Sequence, residues 1–356
     1  MNRKSLEDQF LSQGPASWKT FVLDVHAQGD PHGFLVDVFG KGGVRETDDR
    51  HLRRVEAPGV EMVVDSLDDR FWSFHSLSPA DVTKSLLKAA VARRRDLDFV
   101  WLPSAHLRMI QWGSPRNWIK TEFQGKTILP PTAVQELSVK VRGREAQALL
   151  DVISQNREFP YAVSVSQLGI QVNDPDFGSV VEAVDRKALF VARGDSFALH
   201  QNIVQSVVVK YRGLVESAER VAIGFDALGH HYADADGESG GRSVGGPIEL
   251  AFSRPLPDLN MFLDGLLSSR EPFRLWGIAN DVSDEYTEVE AVDLHVGQRI
   301  RIEVSPTMMR IHLRRGGCGN TVARLVSNIQ HHVDGGLIAV DPSIQAHLAP
   351  EEPVAA

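Results

Sequence analysis

The segment with the clearest potential for chemistry is Arg314–Thr321, which reads Arg-Arg-Gly-Gly-Cys-Gly-Asn-Thr. It follows a predicted strand, Met308–Leu313, and opens a predicted helix, Thr321–His331. Glycines let backbone N–H groups approach a ligand, and a helix N-terminus adds partial positive charge. Two adjacent arginines favour a phosphate or a carboxylate. A glycine-rich strand-to-helix connection without a ligand is the preferred interpretation of this segment, and an anion or nucleotide site is the alternative.

This segment departs from the common phosphate-binding motifs. It lacks the Lys and Ser/Thr of a P-loop, and it lacks the third glycine of a dinucleotide fingerprint. The ligand is therefore predicted only by class, as a phosphorylated small molecule. The residues assigned to this site are Arg314, Arg315, Gly316, Gly317, Gly319, Asn320 and Thr321.

Cys318 is the only thiol in the chain. A cysteine beside arginines and just before a helix can have a lowered pKa and act as a nucleophile. Such chemistry needs a base, and the nearby histidines match no known spacing of a cysteine hydrolase. We therefore assign no catalytic residue and interpret Cys318 as a small residue tolerated in a turn. A single cysteine also excludes an internal disulfide and an all-cysteine zinc site.

Carboxylates and imidazoles cluster near the N-terminus, at Asp24, His26, Asp30, His32 and Asp37. Asp24 and His26 share one face of a strand under period-2 alternation, and such ligands suit Mn, Fe or Zn. The preferred interpretation is a solvated strand face followed by an Asp-Pro turn. The sequence therefore leads to no metal and no cofactor assignment.

A third candidate is an aromatic and basic run in which three of the six tryptophans fall within 18 residues. Tryptophan and arginine often anchor interfaces, and together they can hold nucleic-acid bases. Burial in the core is the competing interpretation, because tryptophans are large and mostly buried. The residues assigned to an interaction surface are Arg93, Arg94, Arg95, Arg108, Trp112, Arg116, Trp118 and Lys120.

The candidate residues must be positioned by helices and strands, and the first of these form a predicted N-terminal α/β domain over residues 1–127. Gly, Pro and Asp residues separate the apolar runs of this domain, which predicts hairpins there. Pro79 at a helix start, Asp81 in the first turn and a helical apolar stripe predict a helix over Pro79–Arg95. The predicted strands of this domain are Trp18–Val25, Phe34–Phe39, Val60–Val64, Phe71–Leu77 and Phe99–Leu102.

After Pro130-Pro131 the chain contains two similar plans of strand, helix, several strands and helix. Val-Glu-Ala-Val-Asp occurs at residues 181–185 and again at 289–293, in corresponding places. Matching order and offset predict an internal duplication. The fold class is therefore α+β (mixed α/β), with Val204–Tyr211 predicted as a strand of the first repeat. The predicted boundaries are 132–225 for repeat 1, 226–246 for a glycine-rich linker, 247–336 for repeat 2 and 337–356 for a disordered tail.

Composition excludes several classes of protein. Of the 356 residues, 42% are apolar and 24% charged, which is the ordinary globular range. Uninterrupted apolar runs are too short to span a bilayer, and the N-terminus lacks the apolar region of a signal peptide. We therefore expect a cytoplasmic protein without membrane contact. Arg outnumbers Lys 28 to 10, which is typical of a GC-rich bacterial genome.

Charge is unevenly distributed along the chain. Residues 1–127 carry 18 basic and 17 acidic side chains, whereas residues 128–356 carry 20 and 30. An acidic surface repels a phosphate backbone, so nucleic acid is expected only through the N-terminal domain.

These observations lead to three hypotheses about function. The first is a non-enzymatic recognition or scaffold subunit of a bacterial multi-protein assembly, such as an antiviral defence system, with a protein partner. The second is an enzyme or sensor that binds a phosphorylated small ligand at Arg314–Thr321. The third is nucleic-acid binding through residues 93–123. The sequence leaves the oligomeric state open.

Overall fold

Two large antiparallel sheets, one two-stranded sheet and the helices packed on them make up the computed structural model of this chain. The structure describes residues 1–12, 17–110, 116–124, 136–143, 146–155, 164–227, 241–283 and 286–348. Helices and antiparallel strands are mixed along the chain, so the predicted α+β fold class is confirmed. Trp112, most of the predicted linker and the last residues of the predicted tail lie outside the described residues.

The strands run through the whole described chain and alternate with helices. Those before residue 200 are β1 (Trp18–Val25), β2 (Val44–Glu46), β3 (Leu52–Ala57), β4 (Val60–Asp65), β5 (Phe71–Ser76), β6 (Leu97–Phe99), β7 (Arg116–Gln124), β8 (Glu136–Arg142), β9 (Val165–Asp174), β10 (Gly178–Asp185) and β11 (Leu189–Gly194). The later ones are β12 (Gly224–Ala227), β13 (Gly241–Val244), β14 (Ile248–Ala251), β15 (Leu275–Ser283), β16 (Tyr286–Asp293), β17 (Arg299–Val304), β18 (Met308–His312) and β19 (Ile338–Ala339).

Two helices in the second half, α6 and α8, carry much of the core. The helices are α1 (Arg3–Leu11), α2 (Pro31–Phe39), α3 (Ala80–Arg93), α4 (Ser104–Met109), α5 (Ala146–Gln155), α6 (Phe197–Arg220), α7 (Leu259–Leu266), α8 (Asn320–His332) and α9 (Pro342–Leu348). None of the helices in the described ranges is both long enough and apolar enough to cross a membrane.

Strand β1 is the centre of the larger sheet. The strand order is β2-β3-β4-β5-β1-β11-β10-β9-β7-β8, and β6 also pairs with the end of β1. Every residue of β1 is buried, including Asp24. Because β1 pairs with β11, a single sheet contains strands from both sides of the predicted boundary at residue 127. The division into domains remains a prediction.

The smaller sheet has the order β15-β16-β17-β18-β14-β19. Helix α8 follows β18 and is buried along its whole length. Its apolar residues belong to a hydrophobic core that includes residues of both sheets. The polar side chains of α8 are therefore held inside the protein, where each needs a partner.

Two predicted strands are helical in the structure. Residues 34–39 belong to α2, because Pro31 occupies its first turn and the Asp30 carboxylate caps it by accepting from Gly33 N at 2.9 Å. Residues 204–211 belong to α6, which Ser196 caps. The β-branched run in α6 resembles a buried strand, and the periodicity of apolar residues alone does not distinguish a buried helix from a buried strand. The predicted helices after Pro79 and at Thr321–His331 are confirmed as α3 and α8.

The repeated pentapeptide occupies corresponding positions in the two sheets. Residues 181–185 lie in β10 and residues 289–293 lie in β16. Each strand is the middle one of three consecutive antiparallel strands, β9-β10-β11 and β15-β16-β17. This placement agrees with the predicted duplication, which remains a prediction.

Candidate functional site

Four residues that can bind metals or transfer protons meet where β1 ends. Asp24 is the penultimate residue of β1, His26 follows the strand, His295 lies in the turn after β16, and Cys318 precedes α8. Their ligand atoms all lie within 4.8 Å of one another. We call Asp24, His26, His295 and Cys318 the Asp24 cluster.

The polar contacts within the Asp24 cluster measure 3.3–3.5 Å, which is a usual hydrogen-bond length for the Cys318 sulfur but is longer than most hydrogen bonds between nitrogen and oxygen. Cys318 Sγ lies 3.5 Å from Asp24 Oδ2 and 3.5 Å from His26 Nε2. His26 Nε2 lies 3.3 Å from Asp24 Oδ1, and His295 Nε2 lies 3.5 Å from Asp24 Oδ2. His295 is fully buried, and neither of its ring nitrogens has a hydrogen-bond partner within the described part of the chain.

Arg70 connects the cluster to Glu219 on α6. Its Nε donates to Asp24 Oδ1 at 2.7 Å, its Nη2 donates to Cys318 Sγ at 3.1 Å, and its Nη1 donates to Glu219 Oε1 at 2.9 Å. The same Glu219 oxygen accepts from Gly319 N at 2.9 Å. Burial alone would lower the pKa of Arg70, but the charge of Asp24 raises it above its usual value. Arg70 therefore remains a cation.

The acid–base state of the cluster follows from burial and from these partners. Burial would raise the pKa of Asp24, but its contacts with the imidazoles of His26 and His295 and the charge of Arg70 hold it well below its usual value. Burial and the charge of Asp24 raise the pKa of the Cys318 thiol well above its usual value. Asp24 is thus ionised, and the thiol stays protonated unless a further cation joins it.

A network of buried ion pairs fixes the turn that carries Cys318. Arg324, fully buried in α8, donates to Asp98 and to Asp293, and its Nε donates to Phe273 O at 2.9 Å. Arg274 Nη1 lies 2.9 Å from Asp98 Oδ1. Asp98 pairs with Asp24 in the register between β6 and β1. Both carboxylates are therefore anchored on the same pair of strands.

Glycines allow the turn to approach its neighbours closely. A Cβ added at Gly319 would lie 2.2 Å from Val215 O of α6. Gly316 has a φ of 79°, a conformation that side-chain-bearing residues rarely adopt. The glycines of the Arg314–Thr321 segment thus bring Cys318 next to Asp24 and Arg70.

A pocket of about 600 Å³ opens beside the cluster. The Arg95 side chain is exposed there and makes no hydrogen bond or ion pair within the described ranges. Glu219 Oε2 makes no hydrogen bond there either, whereas Oε1 is held by Arg70. The lining residues are His26, Gln28, Arg70, Arg95, Asp96, Glu219, Val296, Gln298, Gly316, Gly317 and Cys318.

The structure brings part of the predicted Arg314–Thr321 site to this pocket. Gly316 and Gly317 line it, whereas Arg314 and Arg315 are exposed outside its lining. Asn320 and Thr321 are buried; Asn320 Nδ2 donates to Phe99 O at 3.2 Å and Thr321 donates to Asp293. The cations of the pocket are therefore Arg70 and Arg95.

The described residues of the predicted aromatic and basic surface lie on or next to α3, α4 and β7. Trp118 is half-buried under Lys140, whose Nζ lies 3.6 Å from the ring centroid, and Lys120 pairs with Glu122. The nearby Trp101 is fully buried, as the core interpretation requires. Of the other assigned residues, Arg93 donates a hydrogen bond to Ala89 O and Arg94 forms an ion pair with Asp96. Arg95 lines the pocket. Arg108 is half-buried, and Arg116 lies in β7.

Sequence reasoning named Asp24 and His26 but placed them on a solvated face. The structure corrects this, because Asp24 is fully buried. Asp30 caps α2, and His32 and Asp37 lie within α2 outside the Asp24 cluster. Arg70, Glu219 and His295 were missed, since nothing in the sequence near them indicates a shared site. The sequence held one signal that Asp24 is buried, namely the apolar run of β1 in which it lies.

Comparisons with known proteins agree on one family. The family model described as "MJECL33-like protein" matches residues 2–343. The chain is 24% identical to the "Uncharacterized protein MJECL33" of Methanocaldococcus jannaschii over 376 aligned positions, which cover 94% of this chain and 88% of the relative. No solved structure matches the chain. Because the family model covers nearly the whole chain, this protein belongs to the MJECL33-like family.

Proposed function

We propose that this protein is an enzyme that acts on a small polar ligand with an anionic group, bound in the pocket beside the Asp24 cluster. One observation carries the proposal. Side chains that can bind or react with a ligand converge on this pocket, or lie directly beneath it, from six separate segments of the chain. Convergence of this kind in a concave site is the usual mark of an active site.

Glu219 is the residue best placed to act as a general base. Its Oε1 is held by Arg70 and by Gly319 N, so the carboxylate has a fixed orientation. Its Oε2 is left to accept a proton from a ligand or from water in the pocket. The Glu219 side chain is 30% exposed, so a ligand can reach it.

Arg95 supports an anionic ligand. Its backbone is fixed, because its carbonyl accepts from Val296 N at 2.7 Å. Its guanidinium group has no acidic partner among the described residues, yet it lines the same pocket as Glu219 and Cys318. A phosphate or carboxylate can accept two parallel hydrogen bonds from such a group. The phosphorylated ligand predicted from the sequence thus fits, with Arg95 in place of Arg314 and Arg315.

The test is conversion of metabolites by the purified protein. A small-molecule extract of the native host is incubated with wild type, with Glu219→Gln and with Glu216→Gln, and the masses are compared over time. Glu216 is the matched control, since it lies one turn earlier on α6 with a 53% exposed side chain outside the pocket lining. We expect wild type and Glu216→Gln to consume one anionic metabolite, and Glu219→Gln to be at least about 100-fold slower. Equal conversion by all three, or none by wild type, would contradict the proposal.

A second candidate is the scaffold role expected from the sequence. One observation favours a protein partner: β15 is an edge strand, and Trp276 and Ile278 on it are 57% and 62% exposed. An apolar edge strand can pair with another chain. The proposal predicts that Trp276→Ser with Ile278→Ser releases a protein that co-purifies with wild type from the host. A bacterial assembly in the cytoplasm and nucleic-acid binding through residues 93–123 remain predictions.

A further inference from the structure

We propose that the Asp24 cluster binds one divalent transition-metal ion, Zn²⁺ or an ion of similar ligand preference, at the floor of the pocket. The inference rests on the proposed function, because it assigns the metal to the same active site. Two imidazoles, one carboxylate and one thiolate form a ligand set that suits such ions. The sequence-based conclusion that no metal is bound is thereby replaced.

The spacing of the ligand atoms is the main support. Zinc bonds of about 2.0–2.3 Å to N, O and S give a tetrahedron whose edges are about 3.3–3.8 Å long. Asp24 Oδ2 lies 3.5 Å from His295 Nε2 and 3.5 Å from Cys318 Sγ, whereas His26 Nε2 lies 3.3 Å from the other oxygen, Oδ1. The contact between Cys318 and His26 also measures 3.5 Å. These four distances fit the edges of a metal site, and all the ligand atoms lie within 4.8 Å of one another.

His295 is the second, independent support. A fully buried imidazole without a hydrogen-bond partner is costly, since its desolvation is uncompensated. Its Nε2 points toward Asp24, at 3.5 Å from the carboxylate. A metal ion bound at Nε2 would compensate this cost, which no other described group does. The ring of His26 lies edge-to-face against that of His295, with centroids 5.1 Å apart, so both imidazoles border one space.

The charges around the cluster also favour a divalent cation. The ion-pair network contains more carboxylates than guanidinium groups: Asp24, Asp98, Asp293 and Glu219 face Arg70, Arg274 and Arg324. A divalent ion displaces the proton of the Cys318 thiol to solvent and binds the thiolate, since coordination deprotonates a thiol. Ion and thiolate together add one positive charge, which balances the network.

Arg70 competes with the ion in the metal-free protein. Its Nη2 donates to Cys318 and its Nε donates to Asp24. The ion would replace the contact with Cys318, while Nη1 keeps Glu219 in place. His26 and Cys318 line the pocket, so the ion would face the ligand. Catalytic zinc can expand to five ligands, and the added position would hold the water that Glu219 deprotonates.

The test uses Co²⁺ as the probe and Cys318 as the reporter. The chelator-treated protein is titrated with Co²⁺, and the near-ultraviolet band of charge transfer from thiolate to cobalt is recorded. We expect one equivalent to produce the band in wild type and in His32→Asn, a control histidine outside the cluster. Cys318→Ser should lose the band and bind at least about 10-fold more weakly, the loss typical of weakening even a supporting residue.

Alkylation gives a second measurement that does not depend on the folding of a variant. Cys318 is the only thiol, so iodoacetamide modifies wild type at one position. Zn²⁺ should slow this reaction at least about 10-fold, because the bound thiolate is not free to react. Stoichiometric cobalt without the band, or alkylation unaffected by Zn²⁺, would overturn the metal site. If metabolite conversion persists in chelator-treated protein, the metal inference fails and the proposed function stands. If the metal binds and nothing is converted, the proposed function fails.

Discussion

Two clusters in this protein each contain two histidines and one carboxylate but differ in their bonding. The first is the Asp24 cluster. The second links Glu182, His200, Thr20 and His75 across the larger sheet and α6, and we call it the Thr20 relay. His200 bonds Glu182 at 2.9 Å and Thr20 at 2.8 Å, and Thr20 bonds His75 at 2.9 Å. All four residues of the Thr20 relay are at most 1% exposed.

The Thr20 relay has the properties of a structural element. Three bonds of normal length join the relay: Thr20 Oγ1 lies 2.9 Å from His75 Nδ1 and 2.8 Å from His200 Nε2, and His200 Nδ1 lies 2.9 Å from Glu182 Oε1. Aromatic rings enclose it, and the ring of Phe10 stacks on that of His200 with centroids 5.7 Å apart. Burial lowers the pKa of His75 to about 3, so this histidine stays neutral.

The Asp24 cluster and the Thr20 relay differ in the lengths of their polar contacts and in whether they border a pocket. The Asp24 cluster keeps its polar atoms 3.3–3.5 Å apart, leaves His295 without a hydrogen bond in the described ranges, and adjoins a pocket. Residue types alone therefore do not separate a structural histidine cluster from a functional one. In the Thr20 relay each histidine forms at least one hydrogen bond of normal length, although His75 Nε2 and Glu182 Oε2 are buried without a partner among the described residues. In the Asp24 cluster both ring nitrogens of His295 lack a hydrogen bond to any described residue and the cluster borders a pocket, which together indicate a ligand site.

The largest expected effect comes from breaking the Thr20 relay. Thr20→Val removes the hydroxyl that joins His75 and His200, and it leaves both buried rings without that partner. We expect the free energy of unfolding to fall by about 3 kcal/mol. Urea denaturation measures this loss, and Co²⁺ affinity should be unchanged. A loss of cobalt binding in Thr20→Val would mean that the two clusters are coupled.

The second-largest expected effect is a fall in the free energy of unfolding when acid protonates His75 in the unfolded chain. A histidine with a folded pKa of about 3 stays neutral while the unfolded chain binds a proton below about pH 6.5, so stability falls as the pH drops between these values. We expect His75 alone to account for a loss of about 2 kcal/mol between pH 7 and pH 5. The comparison is urea unfolding of wild type and His75→Asn at both values. An equal pH dependence in the two proteins would show that His75 is not buried as a neutral group.

A smaller effect on stability is expected in the Asp24 cluster. Cys318→Ser in the metal-free protein should change the free energy of unfolding by less than about 1 kcal/mol, because the hydroxyl can donate to Asp24 in place of the thiol. The same substitution should remove thiolate-dependent metal binding. Thermal unfolding with and without Zn²⁺ checks both: Zn²⁺ should raise the Tm of wild type more than that of the variant. A large loss of stability without metal would place Cys318 among the structural residues.

The smallest effect on stability is expected at the mouth of the pocket. Arg95→Ala removes an exposed side chain, so the free energy of unfolding should change by less than about 0.5 kcal/mol. Conversion of the anionic metabolite should nevertheless fall at least about 10-fold, because a charged hydrogen bond to the ligand is lost. Arg93→Ala, two residues earlier and also exposed, is the control and should convert it normally. Equal rates in both variants would remove Arg95 from the ligand site.

Local sequence patterns predicted some elements of the fold correctly and others wrongly. The α+β class and helix α8 followed from apolar periodicity, and the glycine-rich turn that carries Cys318 followed from its composition. Helix α2 was mistaken for a strand because its apolar residues outweighed the Asp-Pro start that caps it. Helix α6 was missed because its β-branched run fits a strand equally well.

The composition of the site depends on long-range contacts that local patterns do not encode. Arg70, Glu219 and His295 lie on different elements and meet Cys318 only when both sheets close around α8. Asp24 was interpreted as solvated because alternation along a strand cannot show that both faces of β1 are covered. Arg314 and Arg315 were favoured by adjacency alone, whereas chain direction at the turn leaves them outside the pocket lining.

Anomalous X-ray diffraction from crystals grown with Zn²⁺ tests the central claim most directly. The account predicts one zinc peak within bonding distance of Asp24, His26, His295 and Cys318, facing the pocket, and no peak at the Thr20 relay. An Asp24 cluster without zinc, closed by hydrogen bonds as short as those of the Thr20 relay, would contradict it. The metal inference would then fail, and the proposed function would rest on Glu219 and Arg95 without a metal ion.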